Sequence, residues 1–303
     1  MILPWLRIGL VVAVYLLTAV AASVLVRASG VDLKDFRSRT APIVVAVGAT
    51  ANLLVLAVTL LFLMFVDHRG VRALGLQFGT RDLVFSVVAL LVTASAAVAF
   101  LWLLKRWGVR EVRPRRYDGG AEAKRFALTA VVLLVVALQE EVLFRGYVTL
   151  NLLALGPGVV LVVTTVLFTV IHFLTNRVTP AQVCGWLLGG FVLGWVYLAS
   201  GTIWVPVLLH FAMDLTNVVA FDIAGDMALA AISPPMSVRQ RAAYRAVFTA
   251  AVVVLGMAFY GRGFAARWYR ATLHPRPGEV EARAEGACEP THHAGAGLCA
   301  YPS

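Results

Sequence analysis

The chain has 303 residues, of which 60% are hydrophobic and only 14% are charged, and its formal net charge is +10. Soluble domains carry about 25% charged residues, so this composition excludes an ordinary water-soluble protein and predicts that lipid covers much of the surface. The basic residues lie mostly between apolar runs, where they orient helices and contact anionic lipid headgroups. Their position argues against nucleic-acid binding.

Eight apolar runs approach the length of about 20 residues that a helix needs to cross the hydrocarbon core. The sequence therefore predicts an all-α, polytopic membrane protein with about eight transmembrane helices and a central polar cavity. The preference for arginine over lysine is typical of GC-rich bacterial genomes, so we expect a multi-pass protein of a cell membrane, the bacterial inner membrane. The runs cover residues 5–27, 41–66, 83–104, 126–150, 158–175, 180–199, 202–221 and 245–264.

The loop after the third run, from Lys105 to Arg125, is the most basic segment of the chain. The positive-inside rule places it in the cytoplasm, together with the loops after the first, fifth and seventh helices. Three arginines that follow the last run, Arg262, Arg267 and Arg270, argue for the opposite orientation. The sequence leaves the orientation open.

Residues 1–270 are predicted to form one transmembrane helical domain, with the polar motifs inside residues 126–221. Residues 271–303 are rich in Gly, Ala, Glu and Pro without apolar periodicity, which predicts a disordered tail. Its potential metal ligands either bind an ion or are incidental. These are Cys288, His292, His293 and Cys299.

The fourth run carries two adjacent carboxylates, Glu140 and Glu141, followed by Arg145. Ionisable groups at this depth cost ~2.5–3.5 kcal/mol each on insertion scales and usually mark function. Glu141 and Arg145 are four residues apart and can pair on one helix face, whereas Glu140 points about 100° away. The spacing predicts a structural pair and a free carboxylate suited to acid–base chemistry. The alternative is an ion-pair network that only specifies packing.

The fifth and seventh runs add histidines. His172 lies near the end of the fifth run, and His210, Asp214 and Asn217 form one polar stripe on the seventh. An aspartate that accepts from a histidine fixes its tautomer, so Asp214 is expected to orient His210. The alternatives are a hydrogen-bonded core histidine and an interhelical hydrogen-bond stripe.

The depth of these groups predicts that they converge. Measured from the side shared by the loops after the fourth and sixth helices, Glu140, His172 and His210 lie ~15, ~21 and ~12 Å deep at about 1.5 Å per residue. All three depths fall near the middle of a core about 30 Å thick. We therefore predict one site between the fourth, fifth and seventh helices.

Together the three motifs resemble the CPBP family of intramembrane proteases, which includes the CAAX prenyl endopeptidases and bacterial bacteriocin-processing proteins. The family pattern is Glu-Glu with Arg four residues on, Phe and His four apart, and His followed after four residues by Asn or Asp. The residues that match are Glu140, Glu141, Arg145, Phe168, His172, His210 and Asp214.

The resemblance implies an intramembrane endopeptidase that cleaves a membrane-bound, prenylated or otherwise lipidated peptide. It implies that Glu140 activates water with help from His172, and that His210 and the residue at 214 stabilise the oxyanion. Aspartate at 214, in place of asparagine, favours the bacterial branch, because an ionised Asp214 cannot donate a hydrogen bond. The resemblance gives Glu141 and Arg145 an architectural role.

Other interpretations stay open at this level. Two histidines and a glutamate are legitimate zinc ligands, but the sequence lacks a His-Glu-x-x-His helix, so metal-free catalysis is favoured with zinc as the alternative. A non-proteolytic scaffold or immunity partner of the same family is the first rival. A proton-coupled transporter is the second, although transporters tend to show internal repeats. The oligomeric state is not predicted.

Overall fold

The computed structural model describes residues 2–30, 42–114, 119–175, 178–221, 230–233 and 237–261. The predicted tail, with its four potential metal ligands, lies outside the described residues. So do the three C-terminal arginines and the predicted domain boundary at residue 270.

Eight long helices make up almost all of the described part of the chain, as the apolar runs predict. Helix α2 ends in a π-helical turn, Phe62–Val66, and α4 continues through a π-helical segment, Val142–Val148, into Thr149–Leu152. The helices are α1 Ile2–Ala28, α2 Pro42–Leu61, α3 Thr80–Arg106, α4 Gly120–Glu141, α5 Pro157–Thr175, α6 Pro180–Ser200, α7 Trp204–Phe221 and α8 Val238–Tyr260.

Within the described ranges, six of these helices are long and apolar enough to cross a membrane, namely α1 to α4, α6 and α8. The apolar stretch of α5 is shorter, Pro157–Phe173. The prediction of an all-α polytopic membrane protein is confirmed. The last helix begins at Val238 and not at 245, because Ser237 and Gln240 form a capping box ahead of the apolar run.

A short two-stranded ribbon, which the sequence did not predict, joins two of the loops. Strand β1, Glu111–Pro114, pairs antiparallel with β2, Ala230–Ser233, and Val112 lies opposite Ile232. The strands belong to the loops after α3 and α7. These two loops therefore lie on the same side of the protein.

The α2–α3 loop, residues 67–79, covers the opposite end of the bundle. The backbone N–H of Ile203 donates to the carbonyl of Gly75 at 3.0 Å. Gly75 has a φ of +73°, and a Cβ at this position would clash with the carbonyl of Gly201. Only glycine combines this conformation with this approach. The loops after α2 and α6 thus lie together on the side opposite the ribbon.

Three polar residues, which we call the loop clamp, fasten the same loop to α1 and α4. The loop clamp consists of Arg7, Asp67 and Asn151. Arg7 NH1 donates to Asp67 Oδ1 at 2.7 Å, and Asn151 Nδ2 donates to Asp67 Oδ2 at 3.1 Å. Next to it, Arg69 donates to the carbonyl of Leu150 at 2.8 Å. Both oxygens of the Asp67 carboxylate therefore have partners.

Two hydrophobic cores form within the described residues. The first joins α1, α2, α4 and α5, and the second joins α3, α6, α7 and α8. Helix α7 contributes Val207 to the first core and Leu209 to the second. The next residue, His210, consequently lies where the two cores meet.

Candidate functional site

Helix α4 places two glutamates in the protein interior directly before its π-helical segment. The side chain of Glu140 is 9% exposed and that of Glu141 is fully buried. All seven residues of the π-helical segment Val142–Val148 are buried. Single π-helical turns inside α-helices are frequent at functional sites, so this segment independently draws attention to the two carboxylates before it.

Arg145 holds Glu141 in the way the spacing predicts. Its NH1 donates to Glu141 Oε1 at 3.1 Å, and its NH2 donates to the carbonyl of Gly190 in α6 at 3.0 Å. The guanidinium carbon also lies 4.5 Å from the ring centroid of Phe168, a cation–π geometry. The predicted Glu141–Arg145 pair is confirmed, and it connects α4 with α5 and α6.

His210 of α7 lies among three carboxylates. Its Nδ1 is 2.8 Å from Glu141 Oε1, whereas its Nε2 is 3.5 Å from Asp214 Oδ2 and 3.9 Å from Glu140 Oε2. Since a carboxylate accepts, Nδ1 carries the hydrogen in this bond. The sequence led us to expect that Asp214 orients this ring, but the short bond comes from Glu141, which therefore does more than pair with Arg145.

His172 of α5 faces the same carboxylate from another side. Its Nδ1 lies 2.7 Å from the carbonyl oxygen of Phe168, and its Nε2 lies 4.0 Å from Glu140 Oε2. A carbonyl can only accept, so Nδ1 is the protonated nitrogen. In the neutral ring, Nε2 then presents its lone pair towards Glu140.

Phe168 is the ring around which these groups are arranged. Its centroid lies 4.5 Å from the ring of His172, 6.0 Å from that of His210 and 5.5 Å from that of Phe144. A Cβ on Gly190 would come within 3.2 Å of Phe168. The aromatic ring is therefore confined between α6 and the two histidines, and it limits the positions that the histidines can adopt.

Several buried polar atoms of the cluster have no hydrogen-bond partner among the residues that the structure describes. They are Oε2 of Glu140, Oε2 of Glu141, Nε of Arg145 and both amide atoms of Gln139. Buried polar groups are normally paired, so unpaired carboxylate oxygens beside two histidines are positions where a polar ligand or water is expected to bind.

The accessible side of the cluster is marked by Asp214, whose side chain is 34% exposed, and by His172 at 17%. Asn217 lies one turn beyond Asp214 on α7 and is half-buried. The predicted polar stripe of α7 thus runs outward from the buried His210.

Zinc does not fit this arrangement. Tetrahedral zinc with bonds of about 2.0–2.2 Å holds its ligand atoms roughly 3.3–3.6 Å apart. The Nε2 atoms of the two histidines are 3.9 and 4.0 Å from Glu140 Oε2. Across the described ranges, no group of three or more His, Cys, Asp or Glu side chains could hold a metal ion. We therefore derive no step through a metal.

The structure thus brings together the residues that the sequence singled out on α4, α5 and α7. The sequence did not reveal three further features: the bond between Glu141 and His210, the π-helical segment, and Trp186, whose ring lies 5.2 Å from that of His172. Gln139 was not among the predicted site residues either, although a polar residue beside the glutamates in an apolar run is visible in the sequence.

Comparison with known proteins agrees with the motifs. Residues 122–216 match the family model described as type II CAAX prenyl endopeptidase Rce1-like. No curated protein matches the chain. The matched residues run from the start of α4 to beyond Asp214 on α7, and they include every residue of the polar cluster. The segment that builds this cluster therefore matches the kind of family that its three motifs resemble, and the match supports a CPBP-type intramembrane protease.

Proposed function

We propose that this protein is an intramembrane endopeptidase in which Glu140 and His172 activate a water molecule for attack on a peptide bond. One observation carries the proposal. Glu140 Oε2 has no partner among the described residues, yet it lies 4.0 Å from His172 Nε2 and 3.9 Å from His210 Nε2. The family match supports peptidase activity in general.

The separation between Glu140 and His172 suits one bridging water. With hydrogen bonds of ~2.8 Å, a water that donates to both atoms 4.0 Å apart would subtend an angle of about 90°. This is near the H–O–H angle, so both hydrogens can be engaged at once. The lone pairs of the water oxygen then remain available for attack on a carbonyl carbon.

His210 is suited to stabilise the oxyanion that this attack produces. Three carboxylates surround its ring, and Arg145 is paired with one of them, Glu141. A second proton on His210 lowers the net negative charge of this poorly solvated cluster. Its Nε2–H is then only loosely held by Asp214 at 3.5 Å and can donate to an oxyanion.

Glu140 can carry out both proton transfers that the hydrolysis needs. Glu140 takes a proton from the attacking water as the C–O bond forms. It returns that proton to the amide nitrogen as the C–N bond breaks, which releases an amine and a carboxylic acid that keeps the second proton of the water. Glu141 positions His210 through Nδ1 and does not exchange protons with the substrate.

The membrane setting suggests the substrate class. The cluster is reached from the side of Asp214, and the helices that surround it are apolar outside. A peptide held at a membrane, by its own apolar segment or by a prenyl or other lipid chain, would be delivered to this depth. We therefore propose membrane-anchored or lipidated peptides as substrates.

Cleavage by purified protein in lipid vesicles tests the proposal. The wild type should cleave members of a panel of lipidated and membrane-anchored peptides. Glu140→Gln keeps the shape of the side chain but removes the base, so cleavage should fall at least about 100-fold. Mass spectrometry of the products identifies the bond that is broken, and a metal chelator should leave the rate unchanged.

Asp67→Asn is the matched control, because it makes the same change in a carboxylate whose oxygens are both occupied. Equal cleavage by wild type and Glu140→Gln would overturn the mechanism. A cellular phenotype that survives Glu140→Gln would favour a scaffold role, and pH-driven flux into the vesicles would favour a transporter.

A further inference from the structure

Two aromatic side chains form an apolar wall on the accessible side of the candidate site. The ring centroid of Trp186 lies 5.2 Å from that of His172, with 37° between the planes, and 6.0 Å from the ring of Phe173. Trp186 is half-buried on α6, and Phe173 on α5 is 39% exposed. The aromatic wall, Trp186 and Phe173, therefore flanks the histidine without being enclosed.

Core packing does not account for this wall. Neither ring belongs to the two hydrophobic cores formed by the described part of the chain. On α6 the neighbouring Leu187 and Leu188 are exposed on the outside of the bundle. A tryptophan that only anchored the helix at the membrane surface would also point outward, whereas the ring of Trp186 packs against His172.

We propose that Trp186, with Phe173, binds one apolar side chain of the peptide substrate directly beside the scissile bond, and so determines sequence preference. This inference rests on the proposed function. Consecutive Cα atoms are about 3.8 Å apart, so a residue that flanks the bond places its side chain within reach of a ring 5.2 Å from His172. A pair of rings matches one side chain and is too short to cover a long lipid chain.

Peptide pairs that differ only in Leu or Ala at one flanking position test this assignment. One pair varies the residue before the bond and another the residue after it. A single apolar contact in a pocket discriminates about 10–200-fold. In Trp186→Ala, the preference for Leu over Ala in kcat/KM should fall at least about tenfold at one of the two positions. Phe173→Ala should produce a smaller fall at the same position.

Binding to Glu140→Gln protein provides a second readout that does not depend on cleavage. Affinities for the Leu and Ala peptides are compared with and without Trp186→Ala in that background. If wild-type protein cleaves nothing, the proposed function fails, and the binding preference still decides the role of the wall. Trp195→Phe is the matched control, because this tryptophan of α6 packs against Gly256 of α8 and should leave the preference unchanged.

Two results would overturn the inference. An unchanged Leu preference in both Trp186→Ala and Phe173→Ala would mean that the wall does not touch the substrate. An equal loss for Leu and Ala peptides would mean that Trp186 only holds His172 in place. If Trp186→Ala does not fold, Phe173→Ala decides the question, since its exposed ring can be removed with little loss of packing.

Discussion

The loop clamp and the candidate site both contain buried carboxylates, but the carboxylate oxygens differ in their hydrogen-bond partners. Asp67, with a side chain that is 2% exposed, has a partner on each oxygen. Glu140 is similarly sheltered, yet its Oε2 has no partner among the described residues. A saturated carboxylate stabilises one conformation, whereas an unsaturated one retains the capacity to bind and to exchange a proton. The burial of a carboxylate therefore does not by itself distinguish a structural residue from a catalytic one.

Arg145 belongs to the candidate site, but we expect it to behave like the residues of the loop clamp and to act on stability. Arg145→Met would leave Glu141 charged and fully buried with His210 as its remaining partner, and breaking a buried pair costs about 3–5 kcal/mol. We expect the free energy of unfolding, measured in mixed detergent micelles, to fall by that amount. The double variant Glu141→Gln/Arg145→Met should recover most of the loss. A single variant within about 1 kcal/mol of wild type would contradict this account.

His210 should show a large effect on the rate of cleavage, because it is the proposed donor to the oxyanion. Removing one oxyanion donor typically lowers kcat about 10²–10³-fold, and we expect His210→Ala to do so in the vesicle assay with little change in KM. His68→Asn is the control, because His68 lies in the exposed α2–α3 loop and has a φ of 50° that asparagine tolerates. Unaltered kcat in His210→Ala would remove this residue from the mechanism.

Asp67 should give the smallest effect, and on stability alone. Asp67→Asn weakens the contact with Arg7, whose side chain is 27% exposed, so solvent screening limits the loss to about 1 kcal/mol. The same unfolding titration measures it, and kcat should stay within about twofold of wild type. A loss of activity approaching that of His210→Ala would show that the loop clamp belongs to the catalytic apparatus and would erase the distinction between the two regions.

The individual contacts that residue spacing could predict lie within one helix. Glu141 and Arg145 are four apart, and so are His210 and Asp214, and helical geometry places such pairs together whatever the tertiary structure. The bond from His210 to Glu141 depends on the rotation and crossing of α4 and α7, which the spacing along either helix does not fix. For the same reason, the spacing along α5 and α6 did not predict that Trp186 lies beside His172.

The ribbon and the π-helical segment were missed for a different reason. Strand β1 contains Glu111, Arg113 and Pro114, and β2 is only four residues long, so neither has the alternation that identifies a strand. The segment Val142–Val148 is as apolar as an ordinary spanning helix apart from Arg145. It packs closely against the α2–α3 loop, where a Cβ on Gly146 would come within 2.6 Å of Leu74, and the sequence does not reveal this contact.

The π-helical segment also determines how α4 would respond to the loss of one residue. Hydrogen bonds that span five residues accommodate more chain per turn than those of an α-helix. Deleting one residue between Val142 and Val148 could let the segment relax to an α-helix without altering the hydropathy of the span. The two ends of the helix would keep their rotation relative to each other, because the π-helical turn is what takes up the extra residue. Such a deletion would keep both carboxylates on the side of their histidines, so the cleavage rate of the deletion variant would show whether the wide turn itself is needed to place them.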